Sequence, residues 1–117
     1  MWILRATVDE EPVVVRLPPG AARTLGRGPS ADFIVADALI SRVHCRLTAS
    51  ARRLVIEDLK STNGTYVNGV RLKFSTLEDG DRVRLGQMEF SVIREDAPIR
   101  RAASARSSRS GSRRPGG

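Results

Sequence analysis

The stretch Ser41-Arg42-Val43-His44-Cys45-Arg46-Leu47-Thr48 decides how this chain folds. From Val43 onward its side chains alternate: Val43, Cys45 and Leu47 share one face, while His44, Arg46 and Thr48 share the other. A period of two marks a strand with one face buried and one face wet. The same period extends outward in both directions. Upstream, Trp2, Leu4, Ala6 and Val8 interleave with Ile3, Arg5 and Thr7, and Val13, Val15 and Leu17 interleave with Val14 and Arg16. Downstream, Leu54 and Ile56, Val83 and Leu85 between Arg82 and Arg84, and Met88, Phe90 and Val92 repeat it. Turn signals separate these runs: Pro18-Pro19-Gly20, Gly28-Pro29-Ser30, Asn63-Gly64, Asn68-Gly69 and Asp79-Gly80. Asn-Gly and Asp-Gly supply the positive φ values that tight hairpins demand. No stretch carries an apolar face at helical spacing. Short strands divided by such turns predict an all-β chain, an antiparallel sandwich or barrel.

At 117 residues, one domain is the default. Apolar runs such as Phe33-Ile34-Val35-Ala36 fall far short of the ~20 residues a spanning helix needs, so no membrane insertion is expected. The start, Met1-Trp2-Ile3-Leu4-Arg5, has no basic region before an apolar core and does not read as a signal peptide. One cysteine excludes an internal disulfide and fits a reducing, cytoplasmic setting. One cysteine and one histidine are too few soft ligands for a zinc site, and no cofactor is expected. The formal charge is +7, which by itself invites a nucleic-acid reading. Residues 97–117, however, carry six arginines and no acid, so residues 1–96 hold 14 basic against 13 acidic groups, a net of +1. Ile99 is the only large apolar side chain after Asp96. Such a segment buries too little surface to offset its ordering entropy, which predicts a folded domain over 1–96 and a disordered basic tail over 97–117.

The residues with chemistry are concentrated between the predicted strands. Gly26-Arg27 comes first. Fourteen residues after Arg27 stands Ser41, opening Ser41-Arg42-Val43-His44, and then come Ser61-Thr62-Asn63-Gly64-Thr65 and Asn68-Gly69. Each is weak alone. Arg27 by itself would read as a solvated loop arginine, Ser41 as a turn or cap residue, and Asn-Gly as a plain turn. Their joint order and spacing, with Leu77-Glu78-Asp79-Gly80-Asp81-Arg82-Val83-Arg84-Leu85-Gly86 behind them, resembles the forkhead-associated (FHA) domain family over about residues 1–95. The resemblance implies a sandwich of about eleven short strands that binds phosphothreonine peptides at loops on one end.

The residue chemistry suits that expectation independently. A phosphothreonine carries about −1.5 to −2 charge and three strong acceptor oxygens. Guanidinium groups that fork onto two oxygens, with hydroxyl and backbone donors for the third, are what such a group needs. The resemblance implies that Arg27 contacts the phosphate, with Ser41 and Arg42 beside it and Thr62 adding a contact. It implies that Asn63 bonds the peptide backbone, and that Gly26, His44, Gly64, Asn68 and Gly69 are structural. Lys60 precedes the Ser61-Thr62-Asn63-Gly64-Thr65 loop and is expected to add charge or a flanking contact, without a fixed role in the family.

His44 followed by Cys45 suggests a base and nucleophile only when the rest is ignored, since neighbours on a strand point to opposite faces. Cys45 continues the apolar face of Val43 and Leu47 and reads as core. The acids Glu78, Asp79 and Asp81 cluster at a turn, and enzyme activity is not expected. The leading expectation is therefore a monomeric, free-standing adaptor that reads partners phosphorylated on threonine by a Ser/Thr kinase. The alternative is non-specific association of the tail with nucleic acid or an anionic surface. The tail serines lie among arginines and suit kinases, but the tail has no threonine, which disfavours it as a ligand for its own domain.

Overall fold

Among residues 1–95, which the computed structural model describes, the alternating runs become eleven strands and no helix. In order they are β1 (Trp2–Val8), β2 (Glu11–Leu17), β3 (Ala22–Gly26), β4 (Phe33–Ile34), β5 (Cys45–Ala49), β6 (Leu54–Asp58), β7 (Thr65–Val67), β8 (Val70–Arg71), β9 (Phe74–Leu77), β10 (Arg82–Leu85) and β11 (Met88–Arg94). The predicted boundary at residue 96 and the predicted disordered tail over 97–117 lie outside the described residues.

The strands form two sheets, ordered β2-β1-β11-β10-β7-β8 and β4-β3-β5-β6-β9. Their inner faces supply one core in which Leu4, Val15, Leu17, Leu25, Leu47, Leu54, Ile56, Leu77, Val83, Leu85, Phe90 and Val92 are buried. The arginines that alternate with them, such as Arg46, Arg82 and Arg84, stand exposed on the outer faces. Burying a Leu or Phe side chain is worth about 1.5–3 kcal/mol, so the period-two pattern pins each register strongly. The pairing is antiparallel apart from one short contact, in which β3 and β4 run parallel through Leu25↔Phe33 and Gly26↔Ile34.

The strand expected from Val43 to Thr48 begins later than its alternation suggests. β5 starts at Cys45, Val43 is half-buried, and His44 is fully buried beside the equally buried Cys45. His44 therefore does not occupy the outer face: its ring turns inward, where both nitrogens find backbone partners. Ile3 also departs from alternation, being buried on the outer face with Arg16 and Ile93 as its cross-strand neighbours.

Of the turn signals, Asn68-Gly69 makes a two-residue hairpin between β7 and β8, with φ of 51° and 85° as a type I′ turn requires. Pro18-Pro19-Gly20, Asn63-Gly64 and Asp79-Gly80 instead lie in connections that pass from one sheet to the other. A tight hairpin without a sequence signal joins β1 to β2, where Asp9 and Glu10 hold φ of 51° and 67°.

Candidate functional site

At the end of β3 the backbone is brought against the β4–β5 loop. A Cβ on Gly26 would lie 2.0 Å from the Arg42 carbonyl oxygen, so only glycine permits this approach. Immediately beyond it, the Arg27 N–H donates to the Ser41 carbonyl at 2.9 Å and the Gly28 N–H to the Arg42 carbonyl at 3.0 Å. Arg27 Nε donates to the Ile40 carbonyl at 3.0 Å. That bond braces the exposed guanidinium and leaves its two terminal nitrogens without partners among the described residues.

His44 joins three elements from inside. Its Nδ1 accepts the Ser41 N–H at 3.0 Å, so the ring proton resides on Nε2, which donates to the Gly64 carbonyl at 2.8 Å. Its own N–H donates to Leu25 in β3, and its carbonyl accepts from Leu59. With both ring nitrogens engaged and no exposed surface, His44 is a loop tie and not a general base. The adjacent Cys45 thiol is pushed up to about 12, first by burial and then by the Asp58 carboxylate, against a smaller opposing effect of the Leu25 backbone. It is no nucleophile at neutral pH.

The β6–β7 loop is organised by Asp58, a residue the sequence reading did not single out. Asp58 Oδ1 accepts the hydroxyls of Ser61 and Thr65, the latter at 2.7 Å, while Oδ2 accepts the Ser61 N–H at 3.1 Å. Ser61 Oγ accepts in turn from the Gly64 N–H at 3.0 Å. Partial burial pushes the Asp58 carboxyl up, but these hydrogen bonds, with a smaller contribution from His44, hold it below the ordinary value of 3.8. The usable signal was local: an Asp three residues before a Ser is the spacing of a side chain capping a turn. Arg71 was also missed. It stands across the β7–β8 hairpin from Gly64, and a Cβ on Gly64 would meet its Nε at 2.5 Å, so the arginine lies over that glycine.

This braced loop is joined to the β4–β5 loop. The Thr62 N–H donates to Ser41 Oγ at 3.0 Å, and Asn63 Nδ2 donates to the Leu39 carbonyl at 2.9 Å. Arg27, Ser41, Arg42, Thr62 and Asn63 are thus gathered on three loops at one end of the sandwich, the β3–β4 and β6–β7 loops each bonded to the β4–β5 loop between them. The Ser41 and Thr62 hydroxyl protons and the ends of both guanidinium groups have no partner among the described residues. Such a set of unengaged donors is suited to a multivalent anion. Asn68 and Gly69 are elsewhere, at the far end of β7. There Asn68 exchanges bonds with Arg82 and donates to Asp81, fixing a turn.

The comparisons with known proteins agree with this geometry. A family model described as FHA domain matches residues 23–86, more than half of the chain. The ABC transporter ATP-binding/permease protein Rv1747 of Mycobacterium tuberculosis is 40% identical over 74 residues, covering 63% of this chain and 8% of that protein. The FHA domain-containing protein FhaA of the same organism is 36% identical over 89 residues, covering 68% of this chain and 17% of that protein. The chain therefore spans less than a fifth of the length of either relative. Among solved structures, the FhaA FHA domain complexed with the intracellular domain of Rv3910 superposes with a TM-score of 0.72 at 34% identity, covering 79% of this chain and 99% of that one. With a matching family model, a matching sandwich and the motif residues gathered at one end, this chain belongs to the FHA domain family.

Proposed function

We propose that this chain is a phosphothreonine-dependent protein-binding module and not an enzyme. The observation that carries the reading is the cluster of unengaged donors on three bonded loops: Arg27, Ser41, Arg42 and Thr62. A structural neighbour at 31% identity with a TM-score of 0.75 comes from work on phosphothreonine-dependent FHA domain interactions, which supports the same ligand class. In this reading Arg27, held through Nε, presents its terminal nitrogens to two phosphate oxygens. Ser41 and Thr62 donate hydroxyl protons to the phosphate, and Arg42 adds charge. Asn63, whose Nδ2 already bridges to Leu39, offers its carboxamide oxygen to the peptide backbone. The body carries a net charge of only +1, so attraction to the phosphate is local and not a property of its overall field. The partners are proteins bearing phosphothreonine, which implies an upstream Ser/Thr kinase in a shared, reducing compartment.

The test is calorimetric titration with an oriented phosphothreonine peptide library and its phosphatase-treated counterpart. Each charge-assisted bond is worth about 1.5–3 kcal/mol, so Arg27→Ala should weaken binding by roughly ten- to a hundredfold. Ser41→Ala should act in the same direction. Equal binding of the dephosphorylated library, or wild-type affinity in both variants, would overturn the reading.

A further inference from the structure

Beside the β6–β7 loop, outside the donor cluster already described, lies a depression of about 530 Å³ lined by Glu57, Asp58, Lys60, Ser61, Arg71, Lys73 and Phe74. Three of these are cations and all three are exposed. None of the three makes an ion pair among the described residues. Its two acids are engaged elsewhere: Glu57 pairs with Arg46 at 3.2 Å, and Asp58 caps Ser61 and Thr65. The depression therefore presents cationic ends whose nearest carboxylates already have partners. Phe74 is 66% exposed, an uncommon position for a large aromatic ring, and it gives the charged pocket an apolar wall. Arg71 ties the depression to the proposed phosphate loops, because its side chain lies over Gly64, next to Asn63.

We propose that this depression is a second subsite, which receives an anionic side chain carried on the same peptide as the phosphothreonine. The proposal rests on the function proposed above and adds to it the chemistry of the flanking sequence. Lys60 and Lys73 meet the second anion as mobile point charges, while Arg71 adds a planar donor group at the boundary with the first site. The Phe74 ring excludes water from one side and packs on the aliphatic part of the incoming residue. The anion is either a carboxylate or a second phosphoryl group, which present the same charge-assisted chemistry.

Four synthetic peptides distinguish these outcomes with wild-type protein: a phosphothreonine peptide with neutral flanks, the same with Asp or Glu scanned along each flank, the same with a second phosphorylated residue, and an acidic peptide without phosphate. Affinity should rise about three- to tenfold when the anion falls on one flank and not on the other, and the rise should shrink with added salt. The carboxylate and phosphoryl arms show which source the subsite prefers. In the Lys73→Gln variant the rise should be lost while affinity for the neutral-flank peptide stays unchanged. Equal affinity for neutral and anionic flanks, or a rise that survives in the variant, would overturn the subsite and leave the phosphothreonine reading intact. Failure of every phosphothreonine peptide to bind would remove both.

Discussion

A single methyl group on Gly26 would sit 2.0 Å from the Arg42 carbonyl oxygen, far inside van der Waals contact. The strand end and the β4–β5 loop would have to part, opening the bonds that hold Arg27 to Ser41 and Gly28 to Arg42. Gly26→Ala should therefore destabilise the domain by about 2–4 kcal/mol in urea unfolding, and abolish phosphopeptide binding as well. Gly20 supplies the control. It has a φ of 91° with nothing within 4 Å of a built Cβ, so Gly20→Ala should cost only about 1 kcal/mol and leave binding intact. At this scale the sequence named the residues but not the contacts that require them. Gly26 was legible as part of a motif, while the carbonyl that forbids a side chain there comes from a segment sixteen residues away. His44 is similar. Its place beside Ser41 was visible, but Gly64 as the acceptor of its Nε2 proton was not.

Turns show most clearly how local and non-local information divide at the scale of elements. Positive φ at Gly20, Gly64, Gly69 and Gly80 is a local backbone property, and the sequence signals located all four. Whether the chain then folds back or passes to the other sheet depends on what lies beyond. Only Asn68-Gly69 among the signalled turns closes a two-residue hairpin, and Asp9-Glu10 closes another with no glycine at all. The β6–β7 loop makes the same point through Asp58. Its carboxyl is held below 3.8, so the bonds to Ser61 and Thr65 contribute stability above that value. That contribution is lost as the pH falls through the lower, folded-state value. Asp58→Asn leaves one amide group facing the Ser61 N–H and should cost about 1–3 kcal/mol at neutral pH. The variant should also lose less stability than the wild type between pH 4 and pH 2, measured by thermal unfolding across that range. A wild-type acid profile in the variant would show that the brace is not carried by this carboxyl.

For the whole molecule, the +7 charge separates into a nearly neutral body and the +6 of residues 97–117. Removing 97–117 should leave phosphopeptide affinity unchanged, because the donors gathered on the loops all belong to the body. Any salt-sensitive binding to a polyanion such as heparin should disappear, as read by retention at rising ionic strength. Retention that survives truncation would assign it to the body's own exposed cations. The sequence by itself determined the all-β class, the buried faces of most strands and the residue types of the candidate site. These follow from period-two burial and from the chemistry of arginine, hydroxyl and glycine, which are properties of short segments. Only the tertiary structure decided which strands are neighbours, the parallel β3–β4 contact, the inward turn of His44, and the Asp58 brace under the site. It alone brought Arg71 onto Gly64 and beside Lys60, Lys73 and Phe74. Such contacts depend on how loops and strands are oriented against one another, which folding sets and residue spacing along the sequence does not encode.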